Sequence, residues 1–275
     1  MTEFSLKPVP VPAPARRPRF YASPFDDQYE FFTYVYHKAL HAASKGKPLP
    51  QILFRDEMQS AAFHRVVTRR WKQHRRRKDQ SDRTIESDAL KHLSRESIPS
   101  SAVTNLEGVE NAVVDIFGHG KPGLDRLTNA TGKVFATMMW IENLLDGFGL
   151  SSIGEIRLST CHGAAGQYYR GTAKEWEKHF KEDNLPVLYD PKNSFGAKLH
   201  DNLRKNYRYA GTVRAGLTAL SMWPWELHPE GGEPERHYGG LAQIRHSDGR
   251  KEDIRKVRKR YVMFTFGEGM QSSAG

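Results

Sequence analysis

The chain predicts an α/β fold, a mostly parallel sheet flanked by helices, on three observations. Val113-Val114-Asp115-Ile116-Phe117 is an apolar run that ends in Gly118-His119-Gly120. Glu155-Ile156-Arg157-Leu158-Ser159-Thr160 is a second run of strand character that ends in Cys161-His162-Gly163. Between them, apolar residues from about Val134 to Leu145 recur at threes and fours, the period of a helix. A strand, a helix and a second strand make a parallel crossover of ordinary length.

The other elements follow in chain order. Residues 1 to about 24 carry Pro8, Pro10, Pro12, Pro14, Pro18 and Pro24 among basic residues. Proline so spaced blocks helix and central strand alike, so an extended, disordered arm is expected there. Asp26 to Ala43 repeats Phe31, Phe32, Val35, Tyr36, Ala39 and Leu40 with helical period, and Gly46 and Pro48 stop it. These two segments, residues 1–49, form an N-terminal extension in this reading, with a main domain over 50–275. That domain opens with a short strand, Gln51-Ile52-Leu53-Phe54, and a helix capped by Asp56 and running through Met58, Ala62, Val66 and Trp71. Gln80 to Gly108 reads as a polar insertion with a short helix. After Cys161, Ala164 to Phe180 reads as helix and Val187 to Tyr189 as strand-like. Ser194 caps a further helix, followed by strand character over Gly211 to Leu220. Leu241 to Arg245, a turn at Ser247 to Arg250 and a last strand at Tyr261 to Phe266 complete the chain.

Composition sets bounds. At 275 residues with 38% hydrophobic content the chain can bury a real core. Cys161 is the only cysteine, so neither an internal disulfide nor a Cys-rich zinc site can form. No apolar run reaches the ~18 residues that cross a bilayer, and the N-terminus lacks the plan of a signal peptide. A cytoplasmic protein, or an effector exported by a leaderless route, is expected. The formal charge of +10 attracts polyanions without selecting nucleic acid, anionic lipid or inositol phosphate. Arg69 to Lys78, which includes Arg75 and Arg76, is either a solvated helix end or a phosphate-binding surface. The sequence has no zinc-finger, RNP or helix-turn-helix signature.

The chemistry rests on His119 and Cys161. Cleaving an amide with a thiol requires the thiolate, or a base to generate it, and a neighbouring histidine supplies that base. Adjacent parallel strands would bring both residues to one sheet edge, where open α/β sheets place their ligands. The N–H groups of Gly120 and Cys161 are then the candidate oxyanion donors, Gly120 having no side chain in the way. His162 is a rival base, disfavoured because side chains alternate in an extended segment. Asp115 lies four residues before His119, about 13 Å along a strand, too far to orient it. A dyad without a fixed acid is expected.

Gly118-His119-Gly120 and Ser159-Thr160-Cys161 resemble the His-Gly and Cys blocks of the caspase-like (clan CD) cysteine peptidases. The self-processing protease domains of bacterial toxins look nearest, because Ser194 to Leu199 followed by Val213 to Gly216 is similar to the helix and strand after the nucleophile there. The resemblance implies a caspase-like sheet with His119 as base, Cys161 as nucleophile, and Gly120 with Cys161 as oxyanion donors. It implies a substrate pocket near Ala215, Ser221 and Trp223. It also implies a basic flap for inositol hexakisphosphate, or another polyanion, in Lys251, Arg255, Lys256, Arg258 and Lys259, with no cofactor needed for the chemistry. The caspase pentapeptide is absent, so no aspartate preference is carried over. The expected activity is cleavage of a protein substrate. The rival reading is a nucleic-acid- or polyanion-binding module without catalysis, and a third keeps the dyad but passes the acyl group to an acceptor other than water.

Overall fold

In the computed structural model the described residues are 17–76, 83–167, 175, 178, 179, 182, 184 and 189–216, together with the backbone of strands at 219–221, 241–245, 251–253, 260–264 and 271–274. The chain is α/β. Strands β1 (Arg19–Ala22), β2 (Gln51–Ile52), β3 (Ala112–Phe117), β6 (Ile153–Ser159) and β7 (Thr212–Gly216) are parallel, in the order β2-β1-β3-β6-β7. β11 (Arg260–Phe264) and then β12 (Gln271–Ala274) extend the β7 edge antiparallel. β8 (Ala219–Ser221), β9 (Leu241–Arg245) and β10 (Lys251–Asp253) form a small separate antiparallel sheet.

Alternation along the strands sends side chains to two cores. Phe20, Ala22, Val114, Ile116, Ile156, Leu158, Val213 and Ala215 share one core with helices α4 (Met138–Gly147) and α5 (Phe195–Tyr207). Tyr21, Ile52, Phe54 and Phe117 point the other way, into an aromatic core with α1 (Gln28–Ser44), α2 (Glu57–Arg76) and α3 (Arg83–Glu96). There Phe63 meets Phe31, Phe32 and Phe54 edge-on at 5.5–5.8 Å. Among the described residues no helix is long and apolar enough to cross a membrane.

Local chemistry sets the helix starts. Asp27 accepts from the Tyr29 N–H, Asp56 from Gln59, Thr137 from Trp140 and Ser194 from Ala197. α1 ends where Gly46 takes a left-handed conformation (φ +58°) ahead of Pro48.

Three expectations need correction. Residues 17–49 are no extension, because β1 lies inside the sheet between β2 and β3 and α1 packs on its face. Pro18 stands immediately before β1, and its carbonyl already accepts from Val113. Residues 80–108 are not merely polar insertion, since α3 buries Ala89, Leu90 and Leu93 completely. Val134 and Phe135 do not begin a helix. They belong to a hairpin of β4 (Arg126–Thr128) and β5 (Phe135–Thr137), and both are half exposed. The segments expected as helix at 164–180 and strand at 187–189 fall largely outside the described residues, as does the turn at 247–250.

One polar network crosses the aromatic-core side of the sheet. Asp115, 1% exposed, accepts two hydrogen bonds from Arg19 of β1 (2.5 and 2.9 Å) and one from Ser159 Oγ of β6 (3.0 Å). Ser159 Oγ accepts in turn from the Tyr34 hydroxyl of α1 (2.7 Å), a phenol raised well above its ordinary value by burial and then by Asp115. Beside it Glu155 binds Arg157 (2.6 Å) and Arg17. Burial alone would raise the Glu155 carboxyl, but the two guanidinium groups outweigh it and leave it below its ordinary value of 4.5. Two outcomes are expected. Asp115→Ala strands the half-buried Arg19 and lowers unfolding free energy by about 3 kcal/mol in urea titrations. A carboxyl depressed in the folded state contributes stability above its unfolded pKa, and that stability is lost as pH falls through the folded value. Glu155→Gln therefore loses less stability than wild type between pH 5 and 3 on the same titrations (window ~2 units).

Candidate active site

β3 and β6 are parallel neighbours with Phe117 opposite Ser159. Two residues further along each chain, His119 and Cys161 follow side by side at the carboxyl edge of the sheet. The backbones touch there: a Cβ on Gly120 would lie 2.4 Å from the Cys161 carbonyl oxygen. Only glycine allows this approach. The switch point of the sheet lies one strand over on the same edge, between β1 and β3, because the chain leaves β1 for β2 on one side and returns to β3 on the other.

His119 is held on three sides. Its backbone exchanges both hydrogen bonds with Thr128 of β4 at 2.8 Å, so the hairpin pins it. Its ring meets Phe117 edge-on, with centroids 5.7 Å apart. Its Nε2 is turned inward, 3.5 Å from Glu30 Oε2, although 41% of the side chain remains exposed. At that distance the pair is close without being a formed hydrogen bond. The Glu30 oxygen is itself fixed by the Ala130 N–H at 2.8 Å. Glu30 lies in the first turn of α1, and Tyr34, one turn on, reaches Ser159. A single helix face thus contacts the ends of both strands that carry the candidate dyad. Glu30 was not legible as a site residue, because a lone acid near a helix start is ordinarily read as helix-dipole compensation.

Cys161 is half-buried and opens a tight turn. His162 adopts a left-handed conformation (φ +54°), so the segment is not extended and the alternation argument against this histidine does not apply. The observation in favour of His119 is the Glu30 carboxylate near its Nε2. The turn is fastened from three directions: Ala164 N–H donates to Gly216 O of β7 (3.0 Å), Gly196 N–H of α5 donates to Gly163 O (2.8 Å), and Gly123 N–H donates to Ala165 O (3.1 Å). Thr160, 1% exposed, tucks its hydroxyl beneath Gly163, where an added Cβ would lie 2.8 Å from Oγ1. Among the described residues the Gly120 N–H has no hydrogen-bond acceptor.

A comparison of the chain with known protein families, with curated proteins and with solved structures gives no match. The family resemblance therefore rests on the His-Gly and Cys blocks and on their placement.

The remaining predicted site residues are scattered. Ala215 is fully buried in the core beneath the Cys161 turn, so it lines no open pocket. Ser221 ends β8, and Trp223 lies outside the described residues. Arg75 and Arg76 are exposed at the far end of α2, roughly 30 Å from its start. Lys251 begins β10, while Arg255, Lys256, Arg258 and Lys259 lie outside the described residues. Asp115 serves the network described above and not His119. Among the described residues no group of three His, Cys, Asp or Glu side chains is placed to hold a metal.

Gly120→Ala forces the Cys161 carbonyl to move and is expected to lower unfolding free energy by about 1–3 kcal/mol. Gly147→Ala at the end of α4, where an added Cβ meets nothing within 4 Å, is expected to leave stability unchanged or slightly raised. Thermal unfolding of the pair compares a close backbone approach with open space.

Proposed function

We propose that the chain is a cysteine endopeptidase acting through a Cys161–His119 pair, in the manner of the clan CD peptidases. The observation that carries the reading is the meeting of His119, Gly120 and Cys161 at the carboxyl edge of adjacent parallel strands. The fold alone would not carry it, because function lives in the site.

Glu30 Oε2, 3.5 Å from His119 Nε2, is placed to draw the ring proton to that nitrogen as the pair closes, which would leave Nδ1 as the basic nitrogen. Nδ1 takes the Cys161 proton as sulfur attacks the scissile carbonyl carbon. The new S–C bond drives negative charge onto the carbonyl oxygen, and the Gly120 N–H, already without an acceptor, stabilises it together with the Cys161 N–H. Collapse breaks the C–N bond, and the imidazolium gives its proton to the departing amine. Water, deprotonated by the same imidazole, hydrolyses the thioester and restores the thiol. Glu30 revises the expected dyad into a histidine oriented by a carboxylate. A protein substrate, inositol hexakisphosphate or a similar polyanion as activator, and a role as an effector belong to the same reading.

Peptidyl acyloxymethyl-ketones with Arg, Asp or Leu at P1 are expected to label wild type by intact mass, with or without inositol hexakisphosphate. Cys161→Ala should abolish labelling, and His119→Ala should slow it by ~10²–10⁴-fold. Wild type that no probe labels under either condition sinks the reading. Glu30→Gln separates orienting from base chemistry: the labelling rate falls about tenfold, well short of the loss for His119→Ala. A Glu30→Gln rate equal to wild type would remove Glu30 from the site.

A further inference from the structure

The cations of this chain fall into two populations. Arg17, Arg19, Arg55, Arg157 and Lys198 each pair with a carboxylate. Arg65, Arg69, Lys72 and Arg76 of α2 are all exposed, and among the described residues none of them forms an ion pair. Their spacing of four, three and four residues is the helical repeat, so they share a stripe within about 60° of arc and about 16 Å long. The stripe lies opposite Phe63 and Val67, the positions α2 buries in the core.

A solvated helix face ordinarily interleaves charges of both signs at i, i+4. This one does not: residues 31–50 and 58–76 contain no Asp or Glu. Compensation of the helix dipole accounts for basic residues only in the last turn, and Arg65 and Arg69 stand well before it. Lys45 and Lys47 just after α1 are also exposed, and Arg70 of α2 lies over the Tyr36 ring of α1 at 5.7 Å. Two histidines of α1 sit among cations outside the stripe, with burial as the larger cause of their shifts. Burial, then Arg70 and Lys38, push His37 down to about 4. Burial, then Lys47, Lys38 and Lys45, lower His41.

The partner must be a polyanion, and the stripe's composition narrows its kind. A lipid surface is met by basic residues alternating with exposed apolar ones, and the stripe has none between Arg65 and Arg76. A single strand is held by stacking its bases on open aromatic rings, but Trp71 is partly buried and carries Arg75 over its ring at 5.4 Å. A straight, rigid row of exposed guanidinium and ammonium groups suits a regular array of phosphates. We propose that the outer face of α2 binds double-helical nucleic acid through its phosphate backbone, without reading sequence.

The test is fluorescence anisotropy with a 20-base-pair DNA duplex across a salt series, using the full chain. Four phosphate contacts predict a log–log salt slope between about −3 and −4, and roughly a hundredfold loss of affinity between 50 and 200 mM salt. The variant Arg65→Gln, Arg69→Gln, Lys72→Gln, Arg76→Gln should bind at least tenfold more weakly, with a slope near zero and an unchanged circular dichroism spectrum. The variant Lys121→Gln, Lys133→Gln, Lys192→Gln, Lys205→Gln removes the same charge from other exposed positions and should bind as wild type. Equal losses in the two variants would make the effect one of net charge and overturn the proposal. So would tighter binding to the single strand or to phosphatidylserine vesicles, or a wild-type slope shallower than −1.

Discussion

The buried carboxylate of Asp115 is the interaction on which the arrangement depends. It stands on β3, the strand that leads to His119. Its oxygens hold Arg19 of β1 and Ser159 of β6, the strand that leads to Cys161, and Ser159 holds Tyr34 of α1, the helix that presents Glu30. Four elements carrying every member of the candidate site thus converge on one charge. Such a charge is costly to bury and is tolerated only with its hydrogen bonds complete. Completing them demands that β1, β3 and β6 keep one register, so the energetic constraint is also a positional one.

The loop chemistry at the edge answers that register. Strand pairing fixes His119 and Cys161 across the sheet only to within a few ångström, and the contact between Gly120 and the Cys161 carbonyl closes the remaining freedom. The turn after Cys161 adds three backbone hydrogen bonds from separate elements, none of which uses a side chain. A turn held by backbone hydrogen bonds has little backbone freedom left to lose when a ligand binds, which favours a preorganised site over one assembled by closure.

The sequence made some of this visible and hid the rest, for physical reasons. The strand 112–117 was legible because full burial makes a near-continuous apolar run, the strand 153–159 because Ile156 and Leu158 alternate with polar residues, and Ser194 and Asp56 because a cap is a local matter. β1 was hidden, since four residues after a proline arm show no period even though three of them are buried. α3 was legible only as a short helix in a polar insertion, because only Ala89, Leu90 and Leu93 face the core completely while charges fill its outer face. Val134 and Phe135 misled in the other direction: their apolar side chains are half exposed on a hairpin, with Arg126 lying over the Phe135 ring at 4.9 Å. His119 and Cys161 could be found because each ends a strand. Glu30 could not, because its partner is 89 residues away in sequence and only the packing of α1 brings them together.

The basic stripe stands on α2 and Glu30 of the candidate site on α1, and the nature of the link between them bears on what binding would do. Gln59, in the first turn of α2, donates to the carbonyls of Ser23 and Phe25 (3.1 and 3.0 Å), in the loop between β1 and α1, close before Glu30. A load on the stripe is therefore connected to the site by packed structure. Connection alone is not coupling, which requires an element with two arrangements that both sites bias. α2 is seated on Phe63 and Val67, both fully buried, and Asp56 caps it through Gln59. The structure shows α2 in one arrangement, and a ligand shifts an equilibrium only where it binds two states with different affinity. Nucleic acid on α2 would thus act by location, raising the concentration of the candidate site near proteins on the same duplex, and not by switching that site on.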